Sequence, residues 1–462
     1  MRSMMSSSAT RLSHRRQRPI LSPCIWFATA QLFATAGFAQ LADAPVATES
    51  AAPEAIVASP VATETVAAET LAAEAPVNAI AANEGLVAST EQQFGKNSLQ
   101  TAEAYFDLAE AQRQARDYDA ATKSYLSAVE IYRAVDGGFT PLAINPLTSL
   151  GDSYHESGDD LNAVSAYSEA RTVSRRVYGL LSERQIVLLD RMSRSLLELN
   201  QTAEADAQQL EVLRLSERNY PPESDQALAG IYRYARWLRD RGQFQLERDQ
   251  YMRALRTIRE YYGKENIRQV EPLLGIGNSF RNQRIPDGQG IGALQDALTL
   301  LMTAPERDSL STAIVLRDLG DWEVAFNKVG YDGGEYRRAW ELLGEIANGE
   351  QLRSEWFTGP TYVLREPISL RGLSEEPNAP RGHVLVSFDL DTMGQSGNVA
   401  VVESEPAGLK DEAVLRHIRR SRFRPQLANG ELIHTEALAL QFNFRYSLDA
   451  VVATEEAEKS QR

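Results

Sequence analysis

The sequence predicts a mainly α chain, a helical solenoid followed by a small α+β domain of β-β-α-β order. Three observations carry that reading. Leu108-Ala109, Leu150-Gly151, Met192-Ser193 and Tyr234-Ala235 recur at a constant step of 42 residues, which marks one supersecondary unit used repeatedly. Period-two alternation sets in only after Gly359-Pro360, as a half-buried sheet requires. Before the repeats, Leu41 to Thr90 contains seven acids and no Lys or Arg, in a background of Ala, Val, Thr and Pro.

At the N-terminus, Arg2, Arg11, Arg15, Arg16 and Arg18 precede a largely apolar run from Ile20 to Phe38 that ends in Gly37-Phe38-Ala39. Basic, apolar, then small is the layout of a secretory signal, so residues 1–39 read as a signal peptide with cleavage after Ala39 and a periplasmic destination. The alternative is a retained anchor on the periplasmic face of the inner membrane. Cys24, the only cysteine, lies in this segment, so the exported chain has no disulfide, thiolate metal site or cysteine nucleophile. Residues 40–94 read as a disordered, self-repelling tether, because they lack the aromatic and large apolar side chains that offset chain entropy. The chain carries a formal charge of −15. That excess of acid argues against nucleic acid as a partner, and against a membrane unless the N-terminal segment is kept.

Residues 95–352 are the repeats. Each unit is a helix, a short turn and a second helix, with turns at Arg116-Asp117-Tyr118, Ser157-Gly158-Asp159, Asn200-Gln201-Thr202 and Arg241-Gly242-Gln243. A Gly or Asn there takes the left-handed conformation that ends a helix. In the second helices Ala121/Tyr125/Ala128 and Ala163/Tyr167/Ala170 set small residues at the crossing and an aromatic beside it. The run Leu150-Gly151-xx-Tyr154…Gly158-Asp159…Ala163…Tyr167…Ala170 resembles the tetratricopeptide repeat, and the long step resembles the extended repeats of kinesin light chains. Two further units follow around Ile276-Gly277…Ala293 and Leu319-Gly320…Tyr336…Ala339.

Residues 353–379 read as a linker, 380–447 as the second domain and 448–462 as a disordered acidic tail. In the second domain Val384, Val386, Phe388 and Leu390 share one face of a strand, Val399 to Ser404 form the next, and Asp411 opens a helix with Ala413, Val414, Leu415 and Ile418 toward the sheet. Asn429-Gly430 then turns into a long final strand. With Gly382-x-Val384-x-Val386-x-Phe388, Gly397-Asn398-Val399 and Arg422-Phe423-Arg424-Pro425, this order resembles the C-terminal domain of TonB-type energy transducers. The resemblance implies recognition by strand addition along the edge of the last strand, at Leu438, Leu440, Gln441, Phe442, Asn443 and Phe444. It also implies a second copy of the chain as a candidate partner through this domain.

His155, His383, His417 and His434 are scattered, and none stands at metal-ligand spacing. Asp389/Asp391 and Glu403/Glu405 read as solvated strand-end charges, and no phosphate loop is present. The expectation is therefore a non-enzyme without cofactor or metal. The first helix of the fourth repeat carries Tyr232, Arg233, Arg236 and Arg239, and Arg194 occupies a matching place in the third. By resemblance these positions line the concave groove, where an aromatic among arginines suits an extended acidic peptide. Two functions follow: a non-enzymatic periplasmic scaffold for periplasmic or outer-membrane proteins, or an anchored energy transducer acting on outer-membrane receptors.

Overall fold

The computed structural model describes residues 64–326, 331–369, 372–374, 379–449 and 451, with side chains from residue 78 onward. The signal segment 1–39, the first part of the expected tether and most of the expected acidic tail lie outside the described residues. Twelve helices pair in sequence as six antiparallel units. They are α2 (Leu99–Gln114) with α3 (Tyr118–Asp136), α4 (Ile144–Ser157) with α5 (Asp160–Tyr178), and α6 (Gln185–Glu198) with α7 (Thr202–Asn219). The later units are α8 (Asp225–Asp240) with α9 (Phe244–Tyr262), α10 (Val270–Asn282) with α11 (Gly288–Thr303), and α12 (Ser309–Phe326) with α13 (Gly334–Leu343).

The 42-residue step is visible in the backbone. Arg116, Gly158, Asn200, Gly242 and Arg284 all have φ between 58° and 85°, so the inner turns of the first five units pass through the left-handed region at the same place. Only two of these are glycines, and the tertiary packing holds Arg and Asn in a conformation that costs a Cβ-bearing residue about 1 kcal/mol. In the first two units the next residue caps the following helix, Asp117 accepting from the Ala120 N–H and Asp159 from the Asn162 N–H. Ala121, Ala163 and Ala205 are fully buried at the crossings. Gly151 allows a close approach: a Cβ there would lie 2.6 Å from Tyr167 Cδ1.

Two expectations need correction. The tether was expected to be disordered to residue 94, yet α1 (Glu64–Phe94) is a helix packed on α2. Its Val87 is buried beside Ala104 and Leu108, with Ile80 and Tyr105 alongside. Ala, Glu and Leu are strong helix formers, and this small apolar stripe supplies the tertiary contact that composition alone does not reveal. The first part of the linker 353–379 is likewise structured. Helix α14 (Gly349–Phe357) buries Phe357 against Tyr336 and Trp340, with ring centroids 5.8 Å away in each case. Strand β1 (Tyr362–Leu364) follows at once.

The second domain has a three-stranded antiparallel sheet in the order β3-β2-β7, formed by β2 (Arg381–Leu390), β3 (Ser396–Glu405) and β7 (Thr435–Arg445). Helix α15 (Asp411–Arg420) covers one face, where Val384, Val386, Phe388, Leu390, Val414 and Ile418 form the core. The β-β-α-β order expected from the sequence is present, with additions. β1 pairs with β4 (Arg422–Phe423), and β5 (Gln426–Ala428) and β6 (Glu431–Ile433) form a hairpin around Asn429-Gly430, both at positive φ. The two domains share an apolar cluster in which Leu316, Val324, Tyr336 and Leu343 of the solenoid meet Phe357, Val363 and Leu427.

Candidate interaction surfaces

In the solenoid a phenol and a carboxylate fifteen residues apart recur. Tyr125 donates to Glu110, Tyr167 to Asp152 and Tyr336 to Asp321, each at 2.8 Å. Burial and the adjacent carboxylate push each phenol up. An arginine from a neighbouring unit then joins the carboxylate: Arg191 reaches Asp152 at 2.6 Å, and Arg281 reaches Asp321 at 2.5 Å. Arg233 continues the ladder to Asp190 at 3.3 Å.

This ladder changes the standing of the basic cluster. Arg194 is exposed, as a groove residue should be. Arg233 is committed to Asp190, Arg236 lies 3.4 Å from Glu271, and Arg239 lies 3.4 Å from its neighbour Asp240. Tyr232 is only 7% exposed and packs against Tyr251, with ring centroids 6.0 Å apart. It is a core residue and offers no stacking face to a peptide. The expected constellation therefore divides into one buried aromatic, three arginines that lie beside carboxylates while staying at least 40% exposed, and the exposed Arg194. Helical spacing placed Tyr232 beside Arg233 in sequence, but adjacent helix positions point about 100° apart.

Glu247 was not singled out from the sequence. It occupies the crossing position held by Ala121, Ala163 and Ala205 in the earlier repeats, is 1% exposed, and its Oε2 has no hydrogen-bond partner. Burial raises its pKa to about 8. The signal was legible as the one carboxylate in a column of alanines.

The predicted edge is present as backbone. β7 pairs with β2 from Arg381↔Arg445 to Leu390↔Thr435. Among the described residues no strand pairs with its other side, where the Leu373–Tyr446 bridge and the Ser374 N–H donating to the Arg445 carbonyl lie at the C-terminal end. Leu438, Leu440, Phe442 and Phe444 turn toward the core under α15, with Phe442 and Phe444 buried. Gln441 is exposed and Asn443 half-buried on the opposite face, linked by a 2.8 Å hydrogen bond.

The arginines around α15 separate in space. Arg420 lies near Glu366 at 3.7 Å, while Arg424 is buried against Asp321. Asp391 caps its own turn by accepting from Met393 and Gln395, and Asp389 accepts from the Ala437 N–H. Among the described residues, no group of three His, Cys, Asp or Glu converges as a metal site would. None of the described helices is long and apolar enough to cross a membrane.

Residues 102–134 match the tetratricopeptide repeat family, and residues 378–447 match the family described as the Gram-negative bacterial TonB protein C-terminal. The chain is a tetratricopeptide-type solenoid joined to a TonB C-terminal-like domain. Solved structures similar to it include the kinesin light chain nearly identical TPR-like repeats of Podosopora anserina, at 15% identity and a TM-score of 0.33, over 46% of this chain and 93% of that one. BtubC (BKLC) from P. vanneervenii is similar at 16% identity and a TM-score of 0.35, over 57% and 98%. The apo form of RapI is similar at 12% identity and a TM-score of 0.33, over 59% and 92%. No curated protein matches the chain. The tetratricopeptide solenoid is a protein–protein interaction scaffold, and here it carries a TonB-type module at its end.

Proposed function

We propose that this chain is a non-enzymatic periplasmic scaffold that holds a strand-addition module at the end of a helical solenoid. The observation that carries the reading is the outer edge of β7. Eleven residues of extended backbone are ordered by β2 on one side, and among the described residues no strand is laid along the other. An edge of this kind pairs with an incoming extended segment through main-chain hydrogen bonds. The basic-apolar-small N-terminus supports export, and the partner class is then a periplasmic or outer-membrane protein with an extended segment.

The clamped junction favours a scaffold over an anchored energy transducer, because the apolar cluster and the Asp321–Arg424 pair fix the module against the solenoid. A photo-crosslinking residue at Gln441, compared with one at Val402 on the opposite edge, tests the reading in the exported protein. Crosslinks from Gln441 to alternate residues of one extended partner segment are expected. Equal labelling from both edges, or none from Gln441, overturns it. N-terminal sequencing at Ala39 separates the exported scaffold from the anchored transducer.

A further inference from the structure

The turns that join one repeat to the next carry exposed apolar side chains that neither the groove nor β7 uses. Between α5 and α6 the chain runs Tyr178-Gly179-Leu180-Leu181, with Leu180 62% and Leu181 46% exposed. The preceding inter-repeat turn adds Phe139, 45% exposed, and Leu142. The Arg176 guanidinium lies 4.1 Å over the Phe139 ring and joins the two turns into one patch. Arg184 lies 4.1 Å over Tyr178. Arg175, Arg176 and Arg184 are all exposed, and residues 171–187 hold four arginines against a single acid, Glu183. Two turns along, Tyr261, Tyr262 and Ile267 are also exposed, with Arg268 4.6 Å over Tyr262.

Apolar tips ringed by arginine and tyrosine have the composition of a surface that sits at a membrane interface. Side chains this exposed at a turn suit the headgroup region of a bilayer, which receives them without a preformed hollow, whereas a protein partner has to supply one. The chain's overall charge of −15 opposes approach to an anionic surface. Salt near physiological strength screens charge beyond about 8 Å, so at contact the local arginines decide. We propose that the α5–α6 turn docks the solenoid on an anionic phospholipid surface, with Tyr178, Leu180 and Leu181 entering the headgroup region and Arg175, Arg176 and Arg184 pairing with lipid phosphates.

The test is co-sedimentation of the full chain with vesicles of phosphatidylcholine containing one third phosphatidylglycerol, against pure phosphatidylcholine. Binding to the anionic vesicles alone, weakened by salt, is expected. Each arginine exchanged for alanine should weaken it about fivefold. Leu180→Asp with Leu181→Asp should weaken it about tenfold or more, with an unchanged thermal melt because both side chains are exposed. Absence of binding overturns the proposal. So does binding that both sets of variants leave intact, since the attachment then lies elsewhere. If the Leu→Asp pair instead converts a dimer to a monomer in sedimentation and lipid binding is absent, the patch joins two copies and the proposal falls.

Discussion

The Arg424 guanidinium meets both carboxylate oxygens of Asp321 at 2.8 Å, across 103 residues of sequence. Asp321 also accepts from Tyr336 and Arg281, and it stands in the last unit where Asp152 stands in the second. There Arg191 of the following repeat completes the carboxylate's set. At the end of the solenoid no seventh repeat follows, and Arg424 of the TonB-like domain takes that part. The module thus caps the solenoid. Both charges are buried, the Asp321 carboxyl is held well below the usual range by Arg424 and Arg281, and the Arg424 guanidinium is held above its own by Asp321.

Removing one partner of such a pair strands the other. Arg424→Ala should cost about 3–5 kcal/mol in denaturant unfolding. A chain limited to residues 95–350 loses Arg424, Phe357 and Leu427 together. It should unfold at markedly lower denaturant than the same residues within the whole protein. Equal midpoints would show that the capping contact contributes nothing.

Glu247 gives a pH signature. Burial raises its carboxyl from 4.5 to about 8, so between those values the folded chain holds a proton that the unfolded chain has released. Stability is full below pH 4.5 and is lost as pH rises from there through 8, by on the order of 5 kcal/mol. Glu247→Ala restores the residue found at the three earlier crossings and should be more stable than the parent at pH 8. The gain should shrink toward pH 5. A pH-independent difference in denaturant midpoint would rule this account out.

The repeat column was legible because backbone geometry at a helix crossing tolerates few residue types. A Cβ on Gly151 presses into the Tyr167 ring, so Gly151→Ala should cost about 1–3 kcal/mol, measurable as a lowered thermal midpoint. A midpoint unchanged within error would mean that the two helices can separate freely. The alternation of Val384 to Leu390 was equally plain, since all four side chains are fully buried. What the sequence could not show was contact between distant segments. Arg424 stands in the Arg422-Phe423-Arg424-Pro425 motif with no sign in the sequence of its partner, 103 residues earlier. Tyr232 looked like a groove residue because periodicity places a side chain on a helix without saying which neighbour covers it. The 353–379 stretch read as a linker because Phe357 and Val363 are buried by residues of both domains rather than by their own neighbours.

The last prediction concerns His417, buried beneath the sheet at the domain junction. Its Nδ1 faces the Glu366 carbonyl and therefore carries the proton, which leaves Nε2 to accept from the Tyr362 hydroxyl at 2.9 Å. The Phe442 ring closes another side, at 5.3 Å between centroids, and Arg365 and Arg284 add positive charge nearby. Burial, aided by those arginines, lowers its pKa from 6.5 to about 4. Above pH 6.5 the ring is neutral in both folded and unfolded chains, and no stability is lost. As pH falls from 6.5 to 4 the unfolded chain takes up a proton that the folded chain refuses, so stability drops by about 3 kcal/mol. Glu247 acts in the opposite sense over part of that range, so the measurement belongs in a Glu247→Gln background. Asp321 does not interfere, because a carboxyl held below its usual 3.8 weakens the fold only at more acid pH. Adding His417→Leu should lower stability at pH 7 and remove from the Glu247→Gln profile the drop of about 3 kcal/mol between 6.5 and 4. An imidazole titration near 6.5 in the folded protein would refute the assignment.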